Sequence, residues 1–280
     1  MTAPAHHQAP APAPYSYVSP IPVRAAHLGD ALASEWTKIR SVRSTVWTLG
    51  VMILLMLAIG LGVAAIASGA DVEMGEQSAL AFGFFGMLPA SICVITLGVL
   101  TISSEYGTGM IRTTLTACPS RARVLTAKAI VFFLLVFSVT TVMAALVAAA
   151  QVALVDTAAT PTGAEWLRAT VGAGAYLALL GLVSLAVGTL VRHSAGAITV
   201  MIGVLLLPLV AGMFMMAEAL QSVQKFLFTY SIPSQMVALY NDAPQFGDSG
   251  PAGWEALLIM AAVAAAALGG AYALLNSRDV

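Results

Sequence analysis

The chain has 280 residues, 59% hydrophobic and only 9% charged, with a formal net charge of -1. Soluble domains carry roughly a quarter charged residues, so this composition belongs to the membrane class. No basic block with interleaved aromatics is present, which argues against a nucleic-acid partner. Cys93 in an apolar run and Cys118 in a polar loop make neither a disulfide framework nor a metal motif.

Residues 1–26 alternate Pro and Ala with little else. They hold too little apolar surface to offset backbone ordering and are expected to be a disordered, polyproline-like tail in which His6 and His7 bind nothing in particular. Residues 27–45 read differently. Leu28, Leu32, Trp36 and Ile39 recur at helical spacing, while Asp30, Ser34 and Lys38 share another face. This predicts an amphipathic interfacial helix, with Trp36 at headgroup depth and Lys38, Arg40 and Arg43 near anionic lipid. The run from Ser44 to Ala70 is charge-free and follows a long polar leader, so it is expected to stay as a membrane helix without cleavage.

Charge-free windows then run at about 46–69, 79–103, 129–154, 169–191, 194–217 and 256–276. Each approaches the ~20 residues that cross ~30 Å of hydrocarbon as a helix. Residues 46–280 are thus expected to form an all-α integral membrane domain of six spans. Gly172, Gly174, Gly181 and Gly188 fit the fourth span for close contact with other helices instead of lipid. Of the 12 Lys and Arg residues, ten fall on one side of this topology: Arg24, Lys38, Arg40, Arg43, Arg112, Arg121, Arg123, Lys128, Arg192 and Arg278. Only Arg168 and Lys225 fall on the other, so both termini are expected to be cytoplasmic. The last outer loop, about 218–253, carries KFLFTYSIPSQMVALY, too short and interrupted to span. Its Phe226, Phe228, Tyr230 and Tyr240 predict a re-entrant or interfacial element.

Intramembrane catalysis finds no support. HExxH is absent, GLVSL around Ser184 is not GxSxG, and His193 reads as a polar end cap. The windows contain no ionisable residue; Gln151, Thr96, Thr101, Ser138, Thr140 and Thr141 are their strongest polar groups and are expected to serve helix packing. Without a GxxxxGK[ST] loop the chain binds no nucleotide in the P-loop manner, so energy for transport would enter from outside it. Pro89 and Pro208 mark expected bends, and Met213, Met215 and Met216 suit an apolar or amphipathic cargo such as a drug, lipid or peptide.

The most distinctive loop runs from Ser103 to Val131. Glu105 is the first charge after a long apolar run, Gly107 and Gly109 permit a sharp turn, and a short amphipathic helix is expected over Met110 to Ala117, ended by Pro119. The order Glu105-Tyr106, Gly109, Arg112, Leu115, Pro119, Arg121, Leu125, Lys128 resembles the EYxxGT…L…PxxR…K loop of ABC-2-type permeases. The leader SEWTKIRSVRSTVW, Ser34 to Trp47, is similar to the segment before the first span in that family. Gly109-Met110 stands where the family has Gly-Thr, which shifts the expected helix start by a residue or two.

The resemblance implies the membrane subunit of an ATP-driven bacterial exporter in the plasma membrane. The chain would be no enzyme and bind no cofactor itself, with ATP and Mg on a separate ATPase subunit. It would usually pair as a homodimer. Glu105, Tyr106, Gly107, Gly109, Arg112, Leu115, Pro119, Arg121 and Arg123 would form the ATPase-coupling loop, and Glu35, Trp36, Lys38 and Arg40 the connecting helix beside it. For Glu105, capping the loop helix or pairing with a nearby arginine is an equal alternative. A non-transporting assembly or sensor subunit is the rival function. Cysteines introduced beside Asp71 and Asp242 are expected to react with an impermeant thiol reagent from outside, and one beside Arg123 only after permeabilisation. The reverse pattern would overturn the orientation.

Overall fold

The computed structural model describes residues 27–70, 78–118, 120–155, 158–215, 217–241 and 250–277. The Pro/Ala tail with Arg24, Pro119, Met216, Arg278 and the acidic Asp71, Glu73, Glu76, Asp156, Asp242 and Asp248 lie outside these residues. Among those described there is no strand. The helices are α1 (Leu28–Ser41), α2 (Arg43–Gly69), α3 (Gly83–Gly107), α4 (Met110–Ala117), α5 (Arg121–Leu154), α6 (Gly163–Leu167), α7 (Ala173–Val191), α8 (Ser194–Phe214), α9 (Gln221–Tyr230), α10 (Ile232–Ala238) and α11 (Glu255–Ser277). A π-helical turn, Arg168–Gly172, joins α6 to α7 without a break.

Six helical stretches are long and apolar enough to cross a membrane: Arg43–Gly69, Ala79–Gly107, Arg121–Leu154, Gly163–Val191, Ser194–Phe214 and Glu255–Leu275. The fourth is the hub. Its most apolar window is 72% buried, against 17% for the sixth, and α7 packs on α3, α5, α8 and α11. Glycine makes that possible, because helices in an apolar phase associate by close packing and not by hydrophobic drive. A Cβ on Gly98 would run into the Gly181 carbonyl oxygen, and one on Gly181 into the Phe132 ring.

Several polar groups inside the spans are satisfied locally, whereas the buried Thr141 hydroxyl has no hydrogen-bond partner among the described residues. Thr96, Thr101, Ser138, Thr140 and Ser184 donate to the carbonyls of Ile92, Leu97, Leu134, Val136 and Leu180, each four residues back. Gln151 instead reaches across, its Nε2 donating to the Gly60 carbonyl of α2 at 3.1 Å. Pro89 and Pro208 lie inside continuous helices. The stretch predicted as a re-entrant or interfacial element folds as α9 and α10. Most of α10 is buried, packed on α3, α8 and α11, with the Tyr176 hydroxyl donating to the Ile232 carbonyl at 3.4 Å. Phe226 and Tyr230 on α9 stay exposed, their rings 4.9 Å apart.

One expectation needs correction. The helices run past the charge-free windows, so Glu105 lies within α3 and Lys128 within α5, and both are buried. A helix can continue through a charge once that charge is paired, as described below. The ends of α3, α7 and α11 and the starts of α5 and α8 gather with α1 and α4 at one end of the bundle. That end holds Lys38, Arg40, Arg43, Arg112, Arg121, Arg123, Lys128 and Arg192, while Arg168 and Lys225 lie at the other. Replacing Gly181→Val should cost about 1–3 kcal/mol or more by overpacking, read as a lower unfolding temperature. Gly203→Ala, with nothing within 4 Å, should cost nothing. Equal temperatures for the two would show that α7 packs loosely on α5 and α3.

Candidate functional site

At the basic end, three helices deliver charge to one point. α1 starts with a capping box between His27 and Asp30, its Asp30 carboxylate accepting from the His27 N–H at 2.9 Å. The helix turns Glu35 and Ile39 inward and ends at Val42. The last turn of α3 brings in Glu105, and the second turn of α5 brings in Lys128. The Lys128 ammonium lies 2.7 Å from Glu35 Oε2 and 2.9 Å from Glu105 Oε1. The Lys38 ammonium lies 2.8 Å from Glu35 Oε1 and 3.0 Å from the same Glu105 oxygen. Two carboxylates and two ammoniums thus form a closed ring with no net charge. The Lys128 side chain is 1% exposed and those of Glu35 and Glu105 are 4% and 3%, so water screens these pairs little.

Lys38 carries the ring outward. It is the most exposed member, and it also donates to Thr114 Oγ1 of α4 at 3.3 Å. Burial alone would lower its pKa, but hydrogen bonds to Glu35 and Glu105 outweigh this and hold it above the ordinary 10.5. α4 itself begins where Gly109 takes φ 73, a left-handed conformation that glycine adopts without strain, just after Gly107 closes α3. The helix occupies Met110–Ala117 despite the missing threonine, with Ile111 buried and Leu115 against the core. Between α1 and α4 runs a groove of about 330 Å³ lined by Asp30, Ser34, Lys38, Met110, Thr113 and Ala117.

The other predicted site residues fall into three groups. Arg112 is exposed on α4, and Trp36 is exposed on α1 with the Arg40 guanidinium 5.8 Å from its ring centroid. Tyr106 and Arg121 instead tie the bundle together. The Arg192 guanidinium sits 5.2 Å from the Tyr106 ring centroid, fastening the α7–α8 corner to α3, and Arg121 Nη1 caps α11 by donating to the Leu275 carbonyl at 2.7 Å. The Arg123 N–H donates to Ser120 Oγ at 3.3 Å, at the start of α5. Pro119 lies outside the described residues.

Among the described residues, Glu105 pairs with lysines and with no arginine. Lys38, expected on one face of α1 with Asp30 and Ser34 and near anionic lipid, turns into the ring because two buried carboxylates require cations. Lys128, Thr114 and Arg192 were not among the predicted site residues. Scarcity was the available signal for Lys128: at this basic end Glu35 and Glu105 are rare acids, each set between a serine and an aromatic residue. Among the described residues, no three His, Cys, Asp or Glu side chains gather as metal ligands would.

Residues 31–207 match the family model described as ABC-2 family transporter protein. The match covers well over half of the chain and includes all four members of the ion ring. The chain belongs to the ABC-2 transporter family. No curated protein matches it significantly. This ABC-2 chain is therefore the membrane, permease component of an ABC transporter, and its ring joins the helix α1 to two spans.

Removing one member of such a ring leaves an uncompensated buried charge, at about 3–5 kcal/mol. Lys128→Met should therefore lower the unfolding temperature of the ABC-2 permease sharply. Adding Glu105→Gln to it restores neutrality and should recover much of the loss; a double variant no better than the single would disprove the coupling. The Lys38 contribution has a definite pH sign. Its folded pKa lies above its unfolded one, so its stabilisation is complete through neutral pH and fades as pH climbs above 10.5 through the raised value. A Lys38→Met variant should therefore differ in stability from the unaltered permease at pH 7–9 and converge with it in strong alkali.

Proposed function

We propose that this permease is the membrane-spanning subunit of an ATP-driven exporter, driven by a separate ATPase subunit that docks on α1 and α4. The ion ring carries this reading. It makes α1, α3 and α5 one mechanical unit, to which α4 is joined through Lys38 and Thr114, so a push on the surface helices is delivered to spans. The excess of Lys and Arg at that end supports a cytoplasmic orientation, in the plasma membrane of a bacterium, where ATP would be bound with Mg by the partner. Paired permease chains would flank the transport path, and rigid-body tilting of the bundle would open it outward. Long apolar surfaces, including Leu207 and Phe214 of α8, favour a hydrophobic or amphipathic cargo.

In this arrangement the charges inside the ring hold the permease together, and the exposed Arg112 meets the ATPase. Arg112→Glu should weaken ATPase association at least about tenfold, or 1.4 kcal/mol, and abolish stimulation of ATP hydrolysis by the permease. Because the residue is exposed, its unfolding temperature should stay within error of the unaltered protein. Full association by the reversed-charge variant would remove α4 from the docking surface.

A further inference from the structure

The polar atoms of the ion ring do not all pair with other groups of the described residues. Glu105 Oε2 is buried and accepts no hydrogen bond from the described residues. Its partner oxygen Oε1 takes both ammoniums. An ammonium has three N–H donors. Lys38 uses all of its own, on Glu35, Glu105 and Thr114, whereas Lys128 uses two, on Glu35 and Glu105. One donor and one acceptor are therefore left over, on two residues that already touch.

Both line the same small cleft, about 50 Å³, between the α1–α2 elbow and α3. Ser44, Thr45, Thr101 and Ser104 contribute hydroxyl-bearing walls. Thr101 and Ser104 spend their protons on the carbonyls of Leu97 and Leu100, so their oxygens remain as acceptors. The volume exceeds the roughly 10–15 Å³ that one water needs, and a polar cleft with two to four partners is where ordered water resides. A cation fits poorly. The ring is already neutral, and Lys128 would repel a second positive charge beside it.

We propose that this cleft is a hydration site built into the ring. A water there accepts the remaining N–H of Lys128, donates one proton to Glu105 Oε2 and the other to the Thr101 or Ser104 hydroxyl oxygen. It leaves no buried member of the ring unsatisfied, and it ties Lys128 of α5 to the hydroxyl-bearing face of α3 through a group that exchanges with solvent.

The test is a structure of the permease in lipid, at a resolution that shows ordered water, determined once in sodium and once in rubidium salt. A peak within hydrogen-bonding distance of both Glu105 Oε2 and Lys128 Nζ, unchanged between the salts, is expected. A dry cleft overturns the proposal, as does a peak that gains density with rubidium, which would make the occupant a cation. Thr101→Val together with Ser104→Ala gives a second reading. The pair should lower the unfolding temperature more than Thr96→Val together with Ser138→Ala, which loses two backward hydrogen bonds of the same kind away from the cleft. Equal shifts would also count against the site.

Discussion

A lysine ammonium enclosed by apolar helices must have its charge met or give up its proton, and the rest of this permease is arranged around how Lys128 is met. Two carboxylates reach it from separate upstream helices, Glu35 from 93 residues before it and Glu105 from 23. Neither carboxylate would be tolerable at that depth alone. The second ammonium, Lys38, brings the sum to zero and faces partly outward. Solvation cost thus forces a surface helix, the end of one span and the start of another to meet at one point.

That requirement explains why α1 lies where it does. An amphipathic helix on a membrane surface would by itself bury its apolar stripe and present its charges to water. Here Leu28 and Trp36 of that stripe stay exposed on the protein, open to a bilayer, while Glu35 and Ile39 turn into the bundle. The polar bonds fix the rotation of α1 about its axis, and the apolar stripe takes the position left to it. The groove against α4 is a consequence, since Lys38 holds α1 and α4 at a distance set by one side chain.

The remainder of the bundle obeys a simpler rule. α7 is the central helix because its glycines let the α3 backbone approach without a side chain between them, and dispersion then replaces the hydrophobic drive that lipid cannot supply. Spans with large exposed apolar side chains, α2, α8 and α11, lie on the outside. Ion pairing at the basic end and close packing at the centre together hold the bundle in one body.

Much of this was legible in the sequence. Hydropathy and length gave six spans, because only helices satisfy every backbone group in hydrocarbon. The glycines of α7 announced its burial, and Gly109 announced the turn into a helix over Met110–Ala117. The motif that identified the family also contained Glu105 and Lys128. Sequence could not decide that these two residues touch, nor that Glu35 joins them, because pairing across 93 residues depends on how helices are rotated and stacked. Window-based reading treated Lys128 as the edge of a span when it is the buried centre of the site. Local periodicity fixes which face of a helix is polar; only tertiary packing decides whether that face meets water or an opposite charge.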